Sequence, residues 1–211
     1  MGISQEVDPG CHEIELEAVG FDNRITGGMD QNKRMVFSEM CLKLNIGCGY
    51  DPRDGFINID GRNDLPKVDR VINLSKESLL KYFRVGTVDF ILANDFIEHH
   101  FHWEAVRILK DFYSLLKPGG GLEMRLPDFE SICSSPELSM AKRITLLFGG
   151  QDISQGEPDP SSRTRYPEFF CHKYSYTQDT MKQELEAAGF KTIAMQREGT
   201  NFVITAVKPS I

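Results

Sequence analysis

The sequence is short of several things, and each shortage removes a class of function. No apolar run approaches the roughly 18 residues that a membrane-spanning helix needs, so no membrane insertion is expected. The opening residues lack the basic-then-apolar pattern of an export signal, and MGISQE has Glu6 where a myristoylation signal wants serine or threonine. Basic residues are in deficit: 24 Lys and Arg against 31 Asp and Glu leave a net charge of −7. That is the wrong sign for a protein that tracks a phosphate backbone, so no nucleic-acid partner is expected. Cysteines are few, odd in number and scattered, at positions 11, 41, 48, 133 and 171. With neither a C-x-x-C nor a framework spacing they point to a reducing compartment, and a cytoplasmic location is expected. Cys41 and Cys48 are read as small buried thiols.

What is present suits one domain of ordinary globular composition, 40% hydrophobic and 26% charged over 211 residues. Residues 1–38 are mixed. CHEIELEAV alternates apolar residues with acids, and DNRITGGMDQNKR is polar and glycine-rich, so this stretch is expected to be a tail or an appended hairpin. Residues 39–211 form the domain proper. Strands are expected at 41–46, 56–60, 69–72, 88–93, 121–126, 190–197 and 200–207. Between them, SKESLLKYF reads as a short helix capped by Ser75, and FHWEAVRILKDFYSLL as a longer one burying Trp103, Val106, Leu109, Phe112 (or Tyr113) and Leu116. TQDTMKQELEAAGF reads as a helix between Thr177 as N-cap and Gly189 as C-terminal cap. Alternating strands and helices imply a doubly wound α/β fold. Its seven-stranded sheet is mainly parallel, the last strand antiparallel, with helices on both faces.

The most informative stretch is KLNIGCGYDPRDGFINID. Gly47 and Gly49 follow one apolar strand and Asp60 ends the next. A glycine just past a strand lets backbone turn tightly against a ligand, and an acid ending the following strand accepts from ribose hydroxyls. A nucleoside site is implied. A dinucleotide fingerprint needs a third glycine and an acid about 20 positions on; here Pro52 stands at the third glycine position and Asp60 comes too soon.

In order, LNIGCG, INID, VDFILANDFIEHH and LLKPGGGLEMRLPD resemble the class I S-adenosylmethionine-dependent methyltransferases, in particular a small branch of type 11 or predicted methyltransferases. The resemblance runs from about residue 41 to 208 and implies a Rossmann-like fold with S-adenosylmethionine as cofactor. It implies that Asn45, Gly47, Cys48 and Gly49 line the amino-acid end of the cofactor and that Asp60 holds the ribose. Asn73 with the backbone of Leu74 would meet the adenine, and Asn94 and Asp95 would lie beneath the methionine moiety. Two departures stand out. YDPRDGF leaves no room for the family's first helix, and Asn73 stands where an aspartate is usual.

NDFIEHHFHWE holds three of the five histidines, at 99, 100 and 102. Three readings stay open: a structural rim, a general base at His99 or His100 with near-neutral pKa, or a magnesium site at Asp95, Glu98 and His99, the spacing some O-methyltransferases use. No metal is assigned. Residues 129–176 are expected to supply an acceptor-side helix, within SPELSMAKRITLLFGG, and a long polar lid loop. His172, Tyr174 and Tyr176 are expected at the acceptor, with Arg125 and Asp128 facing it. The polar loop favours a polar small-molecule or glycan acceptor, methylated on a hydroxyl, and relatives with this pattern are associated with polysaccharide biosynthesis. The alternative is a catalytically inactive cofactor-binding protein or partner subunit.

Overall fold

The computed structural model describes residues 41–149, 151 and 160–210. The tail or hairpin expected at 1–38 lies outside them. The chain divides at residue 41, and the unit from Leu42 onward carries every element described below.

The apolar run at 42–46 becomes β1 (Lys43–Ile46), and FINID becomes β2 (Ile57–Asp60). Then come β3 (Arg70–Val71), β4 (Val88–Asn94) and helix α1 (His102–Leu115), which passes directly into β5 (Leu116–Pro127). Helices α2 (Phe129–Ser134), α3 (Met140–Phe148), α4 (Pro160–Arg165) and α5 (Gln178–Ala188) precede the closing hairpin of β6 (Lys191–Glu198) and β7 (Asn201–Val207). The sheet order is β3-β2-β1-β4-β5-β7-β6. All pairings up to β4–β5 are parallel, and β7 runs antiparallel to both β5 and β6. This is the seven-stranded, mainly parallel sheet expected from the alternation.

The core lies on one face. Leu44, Ile46, Ile91, Ala93, Leu122, Met124, Phe202 and Ile204 are buried against Ile108, Leu109 and Phe112 of α1 and Met181 and Leu185 of α5. On the opposite face Phe90, Glu123, Arg125, Val203 and Thr205 are only half-buried. Among the described residues, the helices of the main core, α1 and α5, lie together and join through a 2.6 Å His102–Glu184 pair and an edge-on contact of Tyr113 with Phe190.

Two helix expectations change. The buried face of α1 is Ala105, Ile108, Leu109, Phe112 and Leu115, while Trp103 is 69% exposed and stacks on Phe101. Both stripes have helical spacing. The stretch 75–83 yields only a 3-10 turn at Leu79–Lys81, capped by Ser78 rather than Ser75. Ser75 is engaged elsewhere, its hydroxyl on Glu104 at 3.3 Å, and Arg107 donates to the carbonyls of Leu74 and Glu77. These tertiary bonds hold the segment in a turn that starts at Asn73. By contrast α5 runs between Thr177 and Gly189 as read, with Gly189 at φ 105°.

The Lys117-Pro118-Gly119-Gly120 stretch lies near the start of β5, just past the end of α1. Val88 pairs with Leu116 but Phe90 pairs with Gly121, so the residues between bulge out of register. A Cβ on Gly121 would sit 2.9 Å from the Phe90 ring, so the strand needs glycine there to close on β4.

Candidate functional site

The strand order reverses between β1 and β4, and ligands of open α/β sheets bind beyond the carboxyl ends of the strands at such a point. A cleft of about 660 Å³ opens there, lined from β1, β2, β4 and β5 and from the segment 163–173.

One wall is the glycine turn. Gly47 and Gly49 both have positive φ, 67° and 50°. The amides of Gly47 and Cys48 donate to Ile59 O at 2.8 and 3.1 Å, which folds the turn over the end of β2. Gly47 has a second reason to be glycine: a Cβ would lie 2.4 Å from Cδ2 of Phe96. No helix separates β1 from β2. Two buried asparagines hold the short loop instead: Asn45 Nδ2 donates to Asp51 O and Asn58 Oδ1, both at 3.0 Å, and Asn58 Oδ1 accepts from Arg53 N at 2.7 Å. Asn45 therefore lines the cleft but uses its amide NH2 to pin the turn.

Asp60 closes this wall. Its carboxylate accepts from Gly49 N and Arg62 N, each at 2.9 Å. Burial raises its pKa even against those donors. The neighbouring Cys48 thiol is pushed up to about 12 by burial and by the Asp60 charge, so it is inert, as a small buried thiol should be. Asn73 accepts from Ser75 N at 3.0 Å, and Asn73 and Leu74 both line the cleft.

The other wall begins where β4 ends. Asp95 sits at φ 48°, a left-handed conformation uncommon for a non-glycine residue. Its carboxylate pairs with Arg125 of β5, Nε donating at 3.2 Å. Asn94 Oδ1 and both oxygens of Glu98 are buried with no hydrogen-bond partner among the described residues. Burial and the nearby Asp95 charge raise the Glu98 pKa well above the usual carboxyl range. His99 bonds through Nδ1 to Cys171 O at 3.1 Å, and its ring lies 4.8 Å from that of His172. Burial, and then His172, hold His99 down to about 3, and burial holds His100 down to about 4. The near-neutral base expected at His99 or His100 is thus replaced by imidazoles that stay uncharged at pH 7. His100 is further tied up, its Nδ1 on Phe96 O at 3.1 Å and its ring against Phe96.

The segment 160–173 forms the rim. Ser162 donates to Asp64 at 2.9 Å and Tyr166 to Asn63 at 2.7 Å. The Arg62 guanidinium lies 4.9 Å from the Phe170 ring, and Phe169 occupies the space a Cβ on Gly61 would need. Farther along, Lys173 N donates to Glu98 O at 2.8 Å, which stitches this segment to the wall beyond β4. The lid loop is in this part more structured than expected, with α4 and a 3-10 turn at Pro167–Phe169.

All nine residues expected at the cofactor, Asn45, Gly47, Cys48, Gly49, Asp60, Asn73, Leu74, Asn94 and Asp95, line this one cleft, as do His99, His100, His172 and Arg125. Three acceptor expectations fail. Tyr176 is buried in the main core, Tyr174 packs on His102 away from the cleft, and Asp128 is fully buried as the N-cap of α2 and partner of Arg197. The magnesium set changes too: Glu98, His99 and His172 come together, while Asp95 turns to Arg125. Sequence reasoning missed Arg62, Phe96, Phe169 and Phe170 at the cleft. Only the aromatic run Phe169-Phe170 within a polar stretch hinted at them.

A family model described as a methyltransferase domain matches residues 7–195. No curated protein matches the chain. Among solved structures, an S-adenosylmethionine-dependent methyltransferase from Methanosarcina mazei is 18% identical over 82% of this chain and 94% of its own, with a TM-score of 0.58. A Burkholderia thailandensis 1,6-didemethyltoxoflavin-N1-methyltransferase, with bound 1,6-didemethyltoxoflavin and S-adenosylhomocysteine, is 16% identical over 80% of this chain and 71% of its own, with a TM-score of 0.52. A methyltransferase from Archaeoglobus fulgidus is 16% identical over 81% and 87%, with a TM-score of 0.51. At these identities the solved structures speak for the fold, and the family match speaks for the chemistry: the chain belongs to the methyltransferase-domain family and has the class I Rossmann-like methyltransferase fold.

Proposed function

We propose that the cleft binds S-adenosylmethionine and transfers its methyl group to a polar small molecule or glycan, on a hydroxyl oxygen. The observation that carries this reading is the convergence of the glycine turn, Asp60, Asn73 and Asn94 on one cleft at the switch point. The backbone of Gly47–Gly49 approaches the methionine end, and Asp60 accepts from the ribose hydroxyls. Asn73 and the backbone of Leu74 meet the adenine. Asn94 Oδ1, buried without a partner, accepts from the cofactor's ammonium group, and Asp95, held by Arg125, lies beside it.

S-adenosylmethionine is the methyl donor of this fold class, and the transfer needs little from the protein beyond alignment. When bound, S-adenosylmethionine would supply a methyl group on a sulfonium: attack by the acceptor oxygen would break the carbon–sulfur bond, with the electron pair left on the sulfur of S-adenosylhomocysteine. The acceptor proton passes to solvent, past the wall of His99 and His172, whose lowered basicity suits them to align the acceptor rather than to hold the proton. Polar groups on that side, Arg125, Arg163 and Lys173 among them, favour an acceptor rich in hydrogen-bonding groups. No described helix is long and apolar enough to cross a membrane.

Calorimetric titration with S-adenosylmethionine and S-adenosylhomocysteine, with NAD as control, tests the cofactor. Binding of the first two alone is the expected result. A screen of nucleotide-sugars and glycans then tests the acceptor. Cofactor binding with no methylation of any acceptor would favour the binding-protein alternative.

A further inference from the structure

We propose that Glu98, His99 and His172 form a site for a divalent first-row transition cation, beside the cleft and independent of the methyl donor. One ligand atom from each residue lies within 4.8 Å of the others, a spacing from which small side-chain movements close on an ion. Glu98 is the strongest indication. Its side chain is 2% exposed residue-wide, and neither oxygen has a partner among the described residues. A carboxyl group taken out of water without a partner is costly in either form, and a cation bound to its ionised form compensates it directly.

The two histidines are prepared for the role. Cys171 O can only accept, so its 3.1 Å bond to His99 Nδ1 fixes the hydrogen there and leaves the Nε2 lone pair free to ligate. The His172 ring stands at 76° to it, centroids 4.8 Å apart. The pieces are held together without an ion, because Lys173 N and Tyr174 N both donate to Glu98 O. Two imidazoles and one carboxylate suit zinc, cobalt, iron or manganese, whereas magnesium prefers an all-oxygen shell with several waters. Asp95 is outside the set because Arg125 holds it. Three protein ligands leave coordination positions open. His99 and His172 both face the cleft, so an ion here would present those positions to an acceptor oxygen and tie the 160–173 segment to the end of β4.

The test is titration of the chelator-treated full chain with cobalt(II), followed by calorimetry and by its visible absorption, with zinc(II) and magnesium(II) in parallel. One ion per chain is expected, with zinc and cobalt binding far more tightly than magnesium. His172→Ala and Glu98→Gln should each weaken cobalt binding by about 100-fold or more, while Asp95→Asn leaves it unchanged; circular dichroism checks that each variant folds, and the shape-conserving Glu98→Gln serves if His172→Ala does not. Cobalt binding no tighter than magnesium, or binding unchanged in a folded Glu98→Gln or His172→Ala chain, would overturn the proposal. The same samples titrated with S-adenosylmethionine separate this outcome from failure of the cofactor reading.

Discussion

The two walls of the cleft are built on different principles. The glycine-turn wall spans residues 45–62, and its polar groups answer one another: Asn45 with Asn58, Asn58 with Arg53, Asp60 with the amides of Gly49 and Arg62. The wall beyond β4 draws on residues more than seventy positions apart, His99 and Cys171 among them, and leaves Asn94 Oδ1 and both Glu98 oxygens without partners. The first wall is complete without a ligand, so its shape is set before anything binds. The second keeps buried polar atoms in reserve, where each lost hydrogen bond costs on the order of 1–3 kcal/mol until something supplies it.

Substitutions should divide the walls by what they change. Asp60→Ala removes the proposed ribose acceptor and is expected to weaken S-adenosylmethionine by about 100-fold, near 3 kcal/mol; unchanged affinity by calorimetry would misplace the ribose. His172→Ala should act on the other wall, lowering turnover at least about 10-fold while the cofactor dissociation constant stays within about 2-fold. Equal losses in both would mean that the walls are not separable.

Smaller effects test the construction of the first wall. Gly47→Ala meets both a φ of 67° and the Phe96 ring, so a loss of about 1–3 kcal/mol in stability is expected by denaturant unfolding. Asp60 accepts from hydroxyls most strongly when ionised. Burial raises its folded pKa above 3.8, so cofactor affinity should fall as pH drops through that raised value, sooner than an ordinary aspartate would cause. Asp60→Asn should flatten that profile. Last, alkylation at pH 8 should label exposed Cys133 well before Cys48, whose thiol is held near 12; equal rates would show the turn opening in solution.

How much of this was legible depends on the distance over which each feature is decided. Gly47, Gly49 and Asp60 could be read because a strand end, a turn and the next strand end lie within fifteen consecutive residues. The missing first helix was legible for the same reason, though its replacement by the Asn45–Asn58 pair was not. The helix expected at 75–83 failed because Arg107, on a later helix, claims the carbonyls of Leu74 and Glu77.

The chain's own order of residues determined the alternation of strands and helices, the glycine turn after β1, and the ends of α5 at Thr177 and Gly189, because backbone sterics and capping act within a few residues. Tertiary structure decided which face of α1 is buried, that Tyr176 belongs to the core, and that His172 rather than Asp95 joins Glu98 and His99. The last choice turns on strand register: β4 and β5 pair Asn94 with Arg125, which brings the guanidinium beside Asp95 and draws that carboxylate away. A charge pairs with the opposite charge that the fold brings within reach, and no local pattern contains that information.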